Sequence, residues 1–324
     1  MEPRIRFDFD ADEPPPLAIE TPVTETILPF KGTLFFNASS GASLLSDEVD
    51  QLKSAARAAA LDVMDIHSGF DIAGTIRQRM DGGQTIFIAA GGDGTINHVI
   101  QPLVHTDACL GIVPIGTYNH FARDLGIPLD WRQALDIAVN GTMRQIDTAC
   151  INDRFFVNNV SFGLYPELVA RREAKGRDYP RWKARLQAAW STLQKYPHIT
   201  VNVETAHHHE AIRTHVLMVS NNPYDLSRIG IEAPRQSMSG GMLSVYWLPH
   251  LPRIALFRFG AHYLAGQVRN APGFRSFHTM KMKVHAARTQ LRVGVDGEVL
   301  AMDTPMVITS VPSSLLVKVP RTSE

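Results

Sequence analysis

The chain has 324 residues, 44% of them hydrophobic, with 32 Lys plus Arg balanced by 32 Asp plus Glu. That length and apolar content support a sizeable core, in one large domain or two smaller ones. A net charge of zero supplies no global field for nucleic acid or for an acidic partner, so any phosphate recognition has to be local.

Residues 1–29 are acidic and proline-rich, with Pro14-Pro15-Pro16 and no apolar periodicity, and are expected to form a mobile tail. Asp8, Asp10, Asp12 and Glu13 stand where a signal peptide would be basic and then apolar, and no run of about 18 apolar residues follows. A cytoplasmic protein is expected. From Thr33 onward short apolar runs alternate with helical stretches. Leu34-Phe35-Phe36 leads to a helix over about 46–60, then Leu61 to Met64, a helix over 72–80, a strand over 85–90, a helix over 95–104 and the strand Leu110 to Pro114. This βα repeat predicts a parallel sheet with helices on both faces over residues 30–150.

After Asp147 the texture changes to short alternating strands at 155–157, 199–204, 215–220, 242–247, 280–286, 290–295 and 299–300. Helical stretches at about 180–195 and 252–269 interrupt them. The meander predicts an antiparallel β-sandwich over 151–305, with the boundary near 148–155. The last apolar segment, Met306 to Val319, can pair in either domain, so 306–320 can join the first. Cys109 and Cys150 lack Cys-x-x-Cys or histidine spacing and read as core thiols of a reducing compartment.

The most informative segment runs from Thr85 to Asn97, a buried-type strand that breaks into Gly91-Gly92-Asp93-Gly94-Thr95 and then into a helix. Its glycines permit positive φ and close backbone approach, and the helix start aims unpaired N–H groups and a partial positive charge at the loop. Such a loop suits phosphates; the bland alternative is a tight strand-to-helix turn. A second glycine segment, Gly116-Thr117-Tyr118-Asn119, follows the next strand and opens another helix. Ligands of open α/β sheets bind at the carboxyl ends of strands, so two such turns at successive strand ends point at one site. Neither is a Walker loop, since Gly-Lys-Ser/Thr is absent.

At these residues the sequence resembles the diacylglycerol kinase catalytic family, which includes bacterial diacylglycerol-type lipid kinases and sphingosine kinases. The resemblance covers about residues 31–320. It takes in Asn37-Ala38-Ser39-Ser40-Gly41, both glycine loops, Asn158-Asn159-Val160-Ser161-Phe162-Gly163, Val219-Ser220-Asn221-Asn222 and Val295-Asp296-Gly297-Glu298. It implies an ATP-binding α/β domain, a lipid-binding β-sandwich and an active site in the cleft between them. Matched residue by residue, it implies that Asn37, Ser40, Gly41, Gly91, Gly92, Asp93, Gly94, Thr95, Gly116, Thr117 and Asn119 surround the nucleotide. Asp93 would lie close to Mg²⁺, and Glu298 would be the general base, with Asp296 beside it among the catalytic residues. On the residues alone, Asp296-Gly297 reads as a type I′ hairpin turn. The implied partners are ATP and a lipid met peripherally at a membrane surface, without nucleic acid; a homodimer is allowed for.

The sequence also departs from the family pattern. His120 stands where many relatives carry Asp after the loop asparagine, and either Asp124, on the same helix face, or the His120 imidazole is the candidate to take over at the metal; a salt bridge of Asp124 with Arg123 or a nearby base is the alternative. Ala42 replaces a frequent lysine. Ser239-Gly240-Gly241-Met242-Leu243-Ser244 lacks the two carboxylates with which bacterial relatives hold a structural Mg²⁺, so no such second metal is expected. His207-His208-His209 sits in a hairpin-like stretch, where three adjacent imidazoles do not converge easily on one ion. The basic stretch from Arg171 to Trp190, with Trp182, Leu186, Ala189 and Leu193 on one helical stripe, suits either packing on the sandwich or docking at a membrane. An NAD kinase-like enzyme, which shares the Gly-Gly-Asp-Gly-Thr loop, and a catalytically decayed nucleotide- or lipid-binding protein are the competing functions.

Overall fold

A computed structural model of the chain describes residues 32–38, 44–163, 199–206, 209–224, 237–249 and 275–321. The expected tail over 1–29, the helices expected over 180–195 and 252–269, the basic stretch 171–190, Ser40, Gly41, Ala42, His207 and His208 lie outside these residues.

The first half alternates strand and helix: β1 (Gly32–Asn37), α1 (Ser46–Ala58), β2 (Leu61–Ile66), α2 (Ile72–Asp81), β3 (Ile86–Gly91), α3 (Asp93–Ile100), β4 (Cys109–Pro114), α4 (His120–Asp124) and α5 (Trp131–Asn140). The strands pair in parallel in the order β4-β3-β1-β2. Their continuous apolar runs follow from that arrangement, since a parallel sheet is covered on both faces: Leu34, Phe35, Phe36, Ile88, Leu110 and Ile112 are fully buried. Side-chain caps fix two helix starts, with Asp71 accepting from the Gly74 N–H at 2.8 Å and Asp130 from Gln133 at 3.0 Å. Helices α1 and α5 pack together, as do α2 and α3.

Helix α3 differs from its expected span of 95–104. It begins two residues earlier because Gly92, extended at φ −89° and ψ −176°, serves as its N-cap. It ends at Ile100 because Pro102 has no N–H to give and its ring crowds the carbonyl four residues back.

The second half comprises β5 (Thr142–Ile151), β6 (Arg154–Phe156), β7 (Asn159–Gly163), β8 (Ile199–Glu204), β9 (His209–Asn221), β10 (Leu243–Pro249), β11 (Arg275–Thr279), β12 (Lys281–Ala286), β13 (Gln290–Val295), β14 (Glu298–Asp303) and β15 (Met306–Val319). Strands β14-β13-β7-β9-β8-β12-β15 follow one another antiparallel, with β10 on β9 and β11 on β10. Phe156, Phe162, Val219, Val245, Val293 and Ile308 belong to a single core cluster between these strands. Strand β15 pairs in both halves. It lies antiparallel to β12 and β5 and, at Leu316 and Val317, parallel to β4. One mixed sheet therefore runs from the parallel strands into the antiparallel ones.

Candidate active site

The two glycine loops leave neighbouring strands, because Gly91 at the end of β3 pairs with Pro114 at the end of β4. The Ile115 N–H donates to the Gly91 carbonyl at 3.1 Å, which carries the pairing one step past the strands. Beyond it the backbones of Gly92 and Gly116 touch, so that a Cβ on either would meet the other's Cα. At Gly91 a Cβ would lie 2.5 Å from the Thr95 Cβ. Close approach, of backbone at Gly92 and Gly116 and of the Thr95 side chain at Gly91, rather than positive φ, is what requires these glycines.

Asn119 supplies the left-handed residue of the second loop, at φ 52° and ψ 42°, a conformation asparagine tolerates better than most. Its side chain brackets Gly116, accepting from the N–H at 3.0 Å and donating to the carbonyl at 2.8 Å. Asp93 joins the loops from the other side: its two carboxylate oxygens accept from the His120 and Phe121 N–H groups, each at 3.3 Å. From β1, Asn37 Nδ2 donates to Thr95 Oγ1 at 2.9 Å. Asn37, Gly91, Gly92, Asp93, Thr95, Gly116 and Asn119 thus come together at three adjacent strand ends, with Gly94 and Thr117 exposed on the same loops.

The Asp296-Gly297 turn has φ +47° and +89°, the double positive φ of a type I′ hairpin, and joins β13 to β14 with Val295 paired to Glu298. The Asp296 carboxylate is taken up by four donors: the N–H groups of Val157, Asn158 and Asn159 at 2.9, 2.8 and 3.0 Å, and Asn97 Nδ2 at 2.9 Å. It anchors the hairpin to the turn before β7. Glu298 stands beside it, half-exposed, with Oε2 2.5 Å from Arg154 Nη2. The same Nη2 donates to Asn97 Oδ1 at 3.2 Å, and Gln101 Nε2 donates to that oxygen at 3.1 Å. Asn97 lies on α3, four residues after Asp93, so a chain of contacts runs from the first glycine loop to Glu298.

The amino-acid sequence matches the diacylglycerol kinase catalytic domain over residues 31–151 and the YegS C-terminal NAD kinase beta sandwich-like domain over residues 159–319. The chain thus carries a diacylglycerol kinase catalytic domain over residues 31–151. It is 46% identical over 86 residues to the diacylglycerol kinase of Bacillus subtilis (strain 168), and 43% identical over 93 residues to a probable YegS-like lipid kinase of Pectobacterium atrosepticum. Those segments cover 26% and 27% of this chain and only 28% and 31% of the two relatives. The crystal structure of a diacylglycerol kinase from Bacillus anthracis str. Sterne superposes with a TM-score of 0.61 at 17% identity, over 90% of this chain and 97% of that one. A second structure from that organism reaches a TM-score of 0.70 at 19% identity. At such identities the likeness is one of fold.

Two departures from the family pattern, at His120 and over residues 239–244, have a place in the structure. His120 turns its ring onto Tyr118, 5.6 Å between centroids and 4° from parallel, and its backbone N–H meets Asp93. Asp124, half-buried, closes α4 one turn later. Asp147, which the sequence reading passed over, is 1% exposed and approaches the 239–244 segment. Its carboxylate accepts from the Gly241 N–H at 2.6 Å, the Ser313 N–H at 2.8 Å and Asn222 Nδ2 at 3.1 Å.

No group of three or more His, Cys, Asp or Glu among the described residues is arranged to enclose a metal. Asp93 nonetheless fits a Mg²⁺ that travels with a nucleotide, because such an ion needs one or two protein carboxylates besides phosphate oxygens and water, and the two N–H contacts of Asp93, at 3.3 Å, are long ones. Asn97, Gln101 and Arg154 were not singled out from sequence. Asn97 carried a signal, its i+4 spacing from Asp93 on a helix. Arg154, in a strand of three residues, carried none.

Proposed function

We propose that this chain is an ATP- and Mg²⁺-dependent lipid kinase that transfers the γ-phosphate to a hydroxyl of a diacylglycerol-like or sphingoid lipid. The observation that supports the reading best is the connection of the glycine loop to Glu298 through Asn97, Asp296 and Arg154. It joins a phosphate-type cradle to a half-exposed carboxylate.

Phosphoryl transfer depends mostly on in-line positioning and charge neutralisation. Backbone N–H groups of Asp93 and Gly94, in the first turn of α3, and of Thr117 in the second loop donate to phosphate oxygens, since the first N–H groups of a helix have no partner within it. Asn37 orients Thr95, and Asn119 holds the second loop in shape. Mg²⁺, when bound at Asp93 with the nucleotide, neutralises charge on the phosphate oxygens. Glu298 accepts the proton of the acceptor hydroxyl as its oxygen bonds to phosphorus and the bond to the ADP oxygen breaks. Asp296, with its four donors, fixes the hairpin and takes no proton. The lipid is met peripherally from the cytoplasm; no helix among the described residues is long and apolar enough to cross a membrane.

Incubation with Mg²⁺ and γ-labelled ATP against a lipid panel plus NAD tests the reading. Label in a lipid supports it; label in NAD, or in no acceptor, contradicts it.

A further inference from the structure

Arg154 Nη2 touches two groups of different origin, Glu298 Oε2 at 2.5 Å and Asn97 Oδ1 at 3.2 Å. Asn97 belongs to α3, whose first turn is the glycine loop, whereas Glu298 opens β14. One guanidinium nitrogen therefore spans the gap between the proposed phosphate cradle and the proposed base. Fold stability does not account for this placement. An ion pair with side chains 25% and 41% exposed adds little, and the Arg154 Nε is buried with no hydrogen-bond partner among the described residues, which costs stability. The hairpin is already held by the four donors on Asp296. Glu298, by contrast, is a flexible side chain at the head of a strand, and its Oε2 is fixed by Arg154.

We infer that Arg154 is a positioning residue: it sets the Glu298 carboxylate at a fixed place relative to the glycine loop, using Asn97 as its second support. The inference rests on the lipid-kinase reading above. A reacting group displaced by about 1 Å can lose roughly 10²-fold in rate. The test compares Arg154→Ala, Glu298→Gln and the double variant by steady-state kinetics. Arg154→Ala lowers kcat by roughly 10²-fold with little change in the KM for ATP or in melting temperature, and low concentrations of guanidinium restore part of the rate. In the Glu298→Gln background it causes no further loss, since a residue that acts through Glu298 has nothing left to position. A wild-type kcat for Arg154→Ala, or losses that multiply in the double variant, overturns the inference. Should the wild-type protein phosphorylate no lipid, the kinase reading fails, and a crystal structure of Arg154→Ala then decides the positioning role. A Glu298 carboxylate swung away from Asn97 supports it, and one unmoved refutes it.

Discussion

Gly92 and Gly116 meet backbone to backbone, and a Cβ on Gly116 would also stand 2.9 Å from Asn119 Oδ1. The two loops can share one site only while neither carries a side chain there. Gly116→Ala is expected to cost about 1–3 kcal/mol, the usual range for overpacking, and to weaken ATP binding as the loops separate. Gly94 offers the contrast, because a Cβ there meets nothing within 4 Å. Alanine at Gly94 should leave stability unchanged or raise it by up to about 1 kcal/mol, while lowering ATP affinity by standing at the proposed phosphate site. Urea unfolding and ATP titration of both variants check the pair.

Asp147 ties β5 to the Gly241 loop and to β15 from a site 1% exposed. Asp147→Ala leaves two backbone N–H groups and the Asn222 amide without their acceptor, and is expected to destabilise by about 2–4 kcal/mol. Because protein donors already take up that carboxylate, EDTA should leave the melting temperature of the wild-type protein unchanged. A drop in melting temperature with EDTA would show that a metal helps hold this segment.

The cysteines predict a loss of stability at alkaline pH. Burial pushes both thiols up from 9.0 to about 11, with Lys318 pulling Cys109 partly back and Asp153 adding to the rise at Cys150. The unfolded chain therefore gives up these protons first, so the contribution is complete below pH 9.0 and is lost as pH rises towards about 11. The unfolding free energy should fall across that window, and less steeply in Cys109→Ala. A flat profile in the wild-type protein would contradict the assignment.

The strands of the parallel half and helices α1 to α3 were legible because the strands are continuous apolar runs and those helices carry the 3.6-residue period; α5 was not read. Both glycine loops and the Asp296-Gly297 turn were legible because close approach and double positive φ restrict the residue types allowed. Strand β5 was not read as a strand, since Thr142 to Gln145 are exposed and show no alternation; its partner β15, distant in sequence, holds it in place. Strand β11 was missed for a similar reason, as it pairs only with β10. Within the site, Asn97 and Arg154 act through partners up to 199 residues away. Pairing at such separation is set by tertiary packing and leaves no local pattern.

Glu298 is proposed as the base opposite the Gly91 to Thr95 loop in phosphate transfer to a lipid. The most direct measurement is kcat for lipid phosphorylation by Glu298→Gln, whose near-isosteric amide keeps the hairpin and the nucleotide loops intact. A loss of about 10²–10⁴-fold, the usual span for general-base assistance, is expected, with the KM for ATP preserved. A Glu298→Gln protein that phosphorylates lipid at the wild-type rate would contradict it.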